Sequence, residues 1–296
     1  MRKQDGFQVS ADGPGKQGDT PAHARPGGKA GGGLVAGGSS GGGSSGGGSV
    51  AGASMRVGCA GWSLSSRVAD RFPGDGSHLE RYARVFNAVE IDTSFYRPHR
   101  PATYARWRDS VPDDFRFAVK LPRTITHDQK LAGIDALLAD FLEGVHALGP
   151  KLGCLLVQLP PSLAFDDAVA PAFFASLRQS TPAPLACEPR HRTWFTEAAA
   201  GAMARHGVSF VRADPNPVGL PPPVGGTEMT YVRLHGSPVL YRSAYPDEVL
   251  AAEAEALRES VRHGQTAWVV FDNTAQGEAV PNALDLLARV EAAQDV

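Results

Sequence analysis

The sequence predicts a single (β/α)8 barrel, and three observations lead to it. Eight short β-rich runs follow one another from Met55 onward, helical patterns occupy most of the gaps, and the alternation fills about 240 residues, the length such barrels take. A doubly wound open sheet is the competing arrangement, but eight runs within this length fit a closed barrel better. No internal repeat stands out beyond the alternation itself.

The strand runs, in order, are RVGCAGW (56–62), AVEIDTSF (88–95), RFAVKLP (116–122), CLLVQLP (154–160), LACEPR (185–190), VSFVRAD (208–214), YVRLHG (231–236) and AWVVFDN (267–273). Each is rich in β-branched, aromatic or other apolar residues and is bounded by turn formers. Between the first two, SHLERYARVF starts a helix with Ser77 as N-cap and Glu80 at the third position of a capping box. PATYARWRDS opens on Pro101, which suits a first helical position. IDALLADFLEGVHALG spaces its apolar residues for one helical face and stops at Gly149-Pro150. AVAPAFFASLR, TEAAAGAMARHG, DEVLAAEAEALRESVRHG and NALDLLARVEAAQ continue the series. The sixth connection, PNPVGLPPPVGGTEM, carries too much Pro and Gly to be a helix.

Residues 1–54 are of another kind. They hold about half of the 34 glycines, with GGSSGGGSSGGGS near their end, and cannot bury enough apolar surface to offset the entropy of folding. They are expected to be a disordered Gly/Ser-rich tail, with the barrel domain at 55–296. The start, MRKQDGFQVSADG, has basic residues but no apolar stretch after them, so it is not a secretory signal. A net charge of −2 argues against a generally basic nucleic-acid binder. Cys59, Cys154 and Cys187 are odd in number and far apart, which gives neither a disulfide framework nor a paired metal motif. They read as small buried thiols. No apolar run is long enough to span a membrane, and a cytoplasmic setting is expected.

Side chains alternate along a strand, so helices outside the barrel claim the apolar face and the polar face turns inward. Glu90 and Asp92 share the second strand's polar face, Lys120 the third's, Gln158 the fourth's, Glu188 and Arg190 the fifth's, Arg212 and Asp214 the sixth's. Arg233 and His235 share the seventh's, and one of Asp272 or Asn273 ends the eighth. The polar residues cluster toward the strand C-terminal ends, where barrels of this class carry their sites. The deeper Glu90, Arg116 and Arg212 are expected to neutralise one another as a structural network. The adjoining loops add Trp62, Tyr96, Arg97, Arg123, His127, His191 and Trp194.

Seven motifs then occur in order: GCAGWS, VEIDTSFYR, FRFAVKLPRTITH, LGCLLVQLPPS, CEPRHRTWF, YVRLHG and FDNTAQGEAVPNA. Together they resemble the YecE-like family, known as domain of unknown function 72, across essentially all of 55–290. The resemblance implies a TIM-type barrel and no defined activity. The sequence departs from the family pattern at Asp92, where Asn is usual, at Pro189, where an aromatic is usual, and at Asp272, where Asn is usual. The two added carboxylates make a cation-binding or less phosphate-friendly mouth more plausible.

Two classes of function follow. As an enzyme, Glu188 or Asp92 serves as general base and Lys120 or His235 as general acid or electrostatic stabiliser. Arg190 and Arg233 clamp a small anionic or sugar-like substrate, with His191, Asp214, Gln158, Asn273, Trp62 and Tyr96 as further contacts. Hydrolysis of a phosphate ester and isomerisation of a sugar both fit, so the reaction class stays open. As a binding module without catalysis, Arg97, Arg100, Arg106, Arg108 and Arg123 track nucleic-acid phosphates while Tyr96 and Trp107 stack bases. An endonuclease-like phosphodiesterase lies between the two, and a scaffold with a vestigial mouth is the blandest reading. No cofactor is assigned. A divalent ion on Asp92, Glu188, His191, Asp214 and His235 would have to compete with the Lys and Arg in the same mouth. No nucleophile elbow, P-loop or dinucleotide fingerprint is present.

Overall fold

The structure, a computed structural model, describes residues 53–223 and 229–292. The tail expected at the N-terminus lies outside the described residues except for its last two positions. Eight parallel strands form one sheet: β1 (Met55–Cys59), β2 (Ala88–Ile91), β3 (Arg116–Lys120), β4 (Leu152–Gln158), β5 (Leu185–Glu188), β6 (Val208–Asp214), β7 (Met229–Leu234) and β8 (Thr266–Phe271). The hydrogen-bonded order runs β1-β8-β7-β6-β5-β4-β3-β2, which returns β2 to the side of β1. Helices α1 (His78–Tyr82), α2 (Pro101–Asp109), α3 (Asp135–Val145), α4 (Val169–Ser180), α5 (Glu197–Arg205), α6 (Asp247–Arg262) and α7 (Ala279–Ala292) follow the strands. The described part of the β6–β7 connection is not helical, as its Pro and Gly content predicts. No described helix is long and apolar enough to cross a membrane.

The local signals hold. Ser77 Oγ accepts from the Glu80 amide while Glu80 Oε2 accepts from the Ser77 amide at 2.7 Å, a complete capping box for α1. Pro101 occupies the first turn of α2, and Thr196 caps α5 by accepting from the Ala199 amide.

The β1–β2 seam is closed differently from the others. One bridge, Ala60 to Glu90, pairs the two segments, and the amide of Gly61 donates to the Glu90 carbonyl at 3.0 Å. Below it, side chains replace the backbone ladder. The Tyr82 hydroxyl accepts from the Cys59 amide at 2.8 Å and donates to the Ala88 carbonyl at 3.1 Å. Asn87 accepts from the Val57 amide and donates to the Met55 carbonyl at 2.9 Å. Gly58 permits this approach, because a Cβ there would lie 2.0 Å from the Ala88 oxygen. Tyr82→Phe should therefore leave a buried amide and a buried carbonyl unpaired, at about 1–3 kcal/mol for each group so orphaned. A chemical-denaturation curve with an unchanged slope and a lower midpoint is the expected result, and an unchanged midpoint would contradict it.

Two apolar layers flank the strands. The outer one packs Val57, Val89, Phe117, Val157, Val232 and Val269 against the helices. The inner one contains Ala118, Leu156, Ala186, Tyr231, Trp268 and Val270 inside the barrel. Along β7 the inward positions run Met229, Tyr231, Arg233, so the interior changes from apolar to charged toward the strand C-terminal ends. Cys59, Cys154 and Cys187 are free and buried, and burial raises the Cys59 thiol to about 12.

Candidate active site at the barrel mouth

Arg233, fully buried on β7, is the hub of the mouth. Its Nη2 donates to Glu90 Oε1 at 2.6 Å and its Nε to Glu90 Oε2 at 3.1 Å. Nη1 donates to Glu188 Oε2 at 2.6 Å, and Nη2 also reaches Asp272 Oδ2 at 3.1 Å. One guanidinium thus joins inward positions of β2 and β5 and the residue after β8. Such a network is tolerated in a barrel interior because every charge has an opposite one in hydrogen-bond range. The Tyr231 hydroxyl donates to Glu90 Oε2 at 2.9 Å and closes the network from below.

Above this hub Asp92, Arg190 and Asp272 reach solvent, while Lys120 and His235 stay buried beside them. Lys120 Nζ donates to Asp92 Oδ1 at 2.7 Å and lies 4.3 Å from the centre of the Phe95 ring, a cation–π position. Arg190 places Nε 2.9 Å and Nη2 2.8 Å from Glu188 Oε1. His235 Nδ1 lies 2.9 Å from Asp272 Oδ2, and its Nε2 approaches Glu188 Oε1 at 3.3 Å without hydrogen-bond alignment. Side-chain exposure separates two tiers: Asp92 at 28%, Arg190 at 20% and Asp272 at 15%, against Arg233 at 0% and Glu188 at 1%.

The fields within the mouth drive its acids apart. Burial pushes the Glu90 carboxyl up, and Arg233 does not cancel that effect. Burial would also raise Glu188, but Arg233 and Arg190 outweigh it and hold that carboxyl well below its usual range. Asp272 is lowered too, since Arg233 and His235 overcome its burial. Burial opposes charge on His235, yet Asp272 and Glu188 prevail and raise it above 6.5. His127, against the Phe95 ring, goes the other way: burial, then Lys120, Arg123 and Arg190, lower it to about 4.

Comparison with known proteins adds the family. A family model described as "Protein of unknown function DUF72" matches residues 56–296. The chain belongs to the DUF72 family. It is 35% identical to the UPF0759 protein YecE of Escherichia coli K12 over 147 residues, 47% of this chain. The chain spans about half the length of that relative, 53%. It is 24% identical to the UPF0759 protein YunF of Bacillus subtilis over 263 residues, covering 78% of this chain and 93% of the other. A crystal structure of a DUF72 family protein from Thermotoga maritima superposes with a TM-score of 0.69 at 27% identity, covering 80% of this chain and 99% of that one. One from Enterococcus faecalis gives 0.67 at 24% identity, covering 80% and 95%.

In this DUF72 barrel, the structure brings together Asp92, Lys120, Glu188, Arg190, Arg233 and His235 as the strand alternation predicts. Gln158 lies beside Glu188 in register and donates to the Leu159 carbonyl. Tyr96 is 66% exposed near Asp92 and Lys120, at the rim. Two expected contacts, Asp214 and Asn273, fall elsewhere. Asp214 leaves the mouth because β6 turns Val211 inward, and its carboxylate accepts from the Tyr245 hydroxyl in the outer layer at 2.8 Å. Arg212, on the same outward face, pairs with Glu253 of α6 instead of the interior network. Asn273 is buried and donates to the Ser243 carbonyl and to Asn282, so Asp272 is the mouth residue of that pair. Trp62 packs edge-on against Trp107 at 5.0 Å, and His191 accepts from the Thr193 amide as a local cap. The deep Arg116 also lies apart, donating to carbonyls at the strand N-terminal end. Among the stacking and phosphate-tracking candidates, Trp107 is enclosed by Trp62, His99 and Tyr104, while Arg108 and Arg123 pair with Asp109 and Asp128.

Tyr241 is the mouth residue that sequence reasoning missed. It sits at φ 65, its amide donates to the His235 carbonyl, its ring meets His235 edge-on at 5.6 Å, and its hydroxyl interacts with Arg190. Among the described residues no cluster of His, Cys, Asp and Glu is arranged to hold a metal ion. Arg233 takes the position among the carboxylates that a dication would need.

The two histidines give a direct check. NMR titration should place His235 above 6.5 and His127 at about 4. For His235 the folded state binds the proton more tightly, so its stabilising contribution is complete below about pH 6.5 and is lost as pH rises through the folded value. For His127 the sign reverses: stability is lost as pH falls from about 6.5 toward about 4. Overlapping titrations of the two imidazoles would contradict these fields.

Proposed function

We propose that the mouth binds a small polyhydroxyl molecule, free or phosphorylated, and moves a proton next to its carbonyl group. The observation that carries this reading is the Asp92–Lys120 pair, a carboxylate and an ammonium 2.7 Å apart above a sealed charge network. Asp92 is the base, and it takes the proton from the carbon beside the carbonyl. The electrons of that C–H bond move onto the carbonyl oxygen, where Lys120 and Arg190 stabilise the developing negative charge. Passage of the neighbouring hydroxyl's proton to the former carbonyl oxygen, and return of the carbon-bound proton from Asp92 to the former carbonyl carbon, complete an isomerisation. His127, neutral at pH 7 and with its Nδ1 2.8 Å from the Thr126 hydroxyl, offers Nε2 to a substrate hydroxyl, and the exposed Tyr96 ring suits the apolar face of a sugar.

Glu188 fits another role than base. It is sealed from solvent and held ionised by two guanidiniums, which makes it a weak base and a positioning group for Arg190 and His235. A panel of aldoses, ketoses and their phosphates incubated in deuterium oxide tests the reading. Solvent deuterium should enter the carbon next to the carbonyl of the accepted substrate. A sugar that binds the mouth without any exchange would contradict proton transfer.

A further inference from the structure

The opposite end of the barrel holds a second feature that the mouth does not use. A cavity of about 830 Å³ opens among the first residues of the strands, from Arg56 on β1 to Trp268 on β8. Its walls bring in Arg116 at the start of β3, Arg178 near the end of α4, and Arg205 and His206 at the end of α5. Four guanidiniums and an imidazole from four chain segments therefore converge there, and none of the residues lining it is an Asp or Glu.

Among the described residues none of these arginines forms an ion pair, and three of them donate to backbone carbonyls. Arg56 donates to the Asp114 carbonyl at 2.7 Å, and Arg116 to the carbonyls of Asp113 and Phe115 at 2.7 and 2.9 Å. Arg178 donates to the carbonyls of His206 and Thr181 at 3.3 and 3.4 Å. Carbonyls orient a guanidinium but do not neutralise it. The Asp114 carboxylate acts on Arg56 only after burial and the repulsion from Arg116, and the net effect lowers Arg56. Burial lowers Arg178 as well. Half-buried like charges kept together are costly unless an anion joins them.

The floor of the cavity is apolar. Gly153 brings the Trp268 ring to it, because a Cβ at that position would lie 2.7 Å from the ring and 2.9 Å from the Arg116 Cβ. Guanidinium walls over an indole floor suit a ligand with oxyanions at one end and a flat or apolar part at the other. The volume lies in the range of small-molecule sites, about 300–1,000 Å³.

We propose that the N-terminal end of the barrel is a second binding site, for a small metabolite carrying a diphosphate group. It is separate from the mouth and independent of the reaction assigned there. Calorimetric titration of the full chain with inorganic pyrophosphate tests it. Saturable one-to-one binding is expected, weakening at least tenfold in the Arg116→Gln/Arg178→Gln double variant and unchanged in Asp92→Asn. Arg205→Gln, at an exposed position, gives a second reading should the double variant fail to fold, with a smaller loss expected. Affinity untouched by these arginine substitutions, or lost in Asp92→Asn, would overturn the assignment. So would retention of a single-stranded oligonucleotide with no binding of pyrophosphate. Failure of deuterium exchange at the mouth would leave these outcomes unaffected, so the two readings fail separately.

Discussion

Arg233→Leu should lower the melting temperature of the barrel by about 10–15 °C. The substitution leaves Glu90 and Glu188, both fully buried, without the guanidinium that neutralises them. Removing one partner of a buried ionic network costs about 3–5 kcal/mol, and each kcal/mol moves a domain of this size by about 2–4 °C. The mechanism makes a second demand. Removing the stranded charges as well, with Glu90→Gln and Glu188→Gln beside Arg233→Met, should recover most of the loss. Differential scanning calorimetry of the three proteins separates the outcomes. If the triple variant is no more stable than Arg233→Leu, lost packing rather than stranded charge explains the effect.

Much of this network was legible in the sequence. Alternation along YVRLHG placed Tyr231, Arg233 and His235 on one inward face, and LACEPR placed Glu188 and Arg190 together. Burial against the helices enforces that rule wherever the outward residues are apolar, as Val232, Leu234 and Cys187 are. The rule failed on β6 because VSFVRAD mixes apolar and polar residues on both faces. There Val211 took the interior and Arg212 found Glu253 on α6, with two contacts of 2.6 and 2.5 Å. An outward charge is stable when a facing helix supplies its partner, and no strand pattern announces that helix residue. At the end of β8 the parity of Trp268 and Val270 favours Asp272, but the strand stops at Phe271 and the loop buries Asn273 elsewhere. Tyr241 was illegible for another reason: its place depends on a left-handed backbone in an irregular loop. The arginines at the strand N-termini were visible individually, while their convergence required the closed barrel.

Asp92→Asn should have the largest effect on activity and little on the fold. The residue is partly exposed, and its close partner is Lys120, at 2.7 Å, with Arg233 farther off at 3.8 Å. The amide keeps the shape and still accepts from Lys120, but that ammonium is only 8% exposed and loses its counter-charge, so a loss of about 1–2 kcal/mol is expected. It cannot accept a proton from carbon at neutral pH. General-base catalysis contributes about 10²–10⁴-fold, and that factor should disappear while substrate binding changes little. Glu188→Gln differs in kind: it should disturb stability and drop the His235 titration toward 6.5, because it removes one of the two carboxylates that raise it.

The mouth is accordingly two tiers, a sealed hub around Arg233 that positions and a partly exposed Asp92, held by the buried Lys120, that reacts. The deuterium-exchange rate of Asp92→Asn, measured on the accepted sugar beside its melting temperature, tests that division most directly. The division predicts exchange reduced by about 10²–10⁴-fold with cooperative unfolding kept and the melting temperature within about 8 °C of the parent. Exchange at the parental rate, or exchange lost only together with cooperative folding, would contradict it.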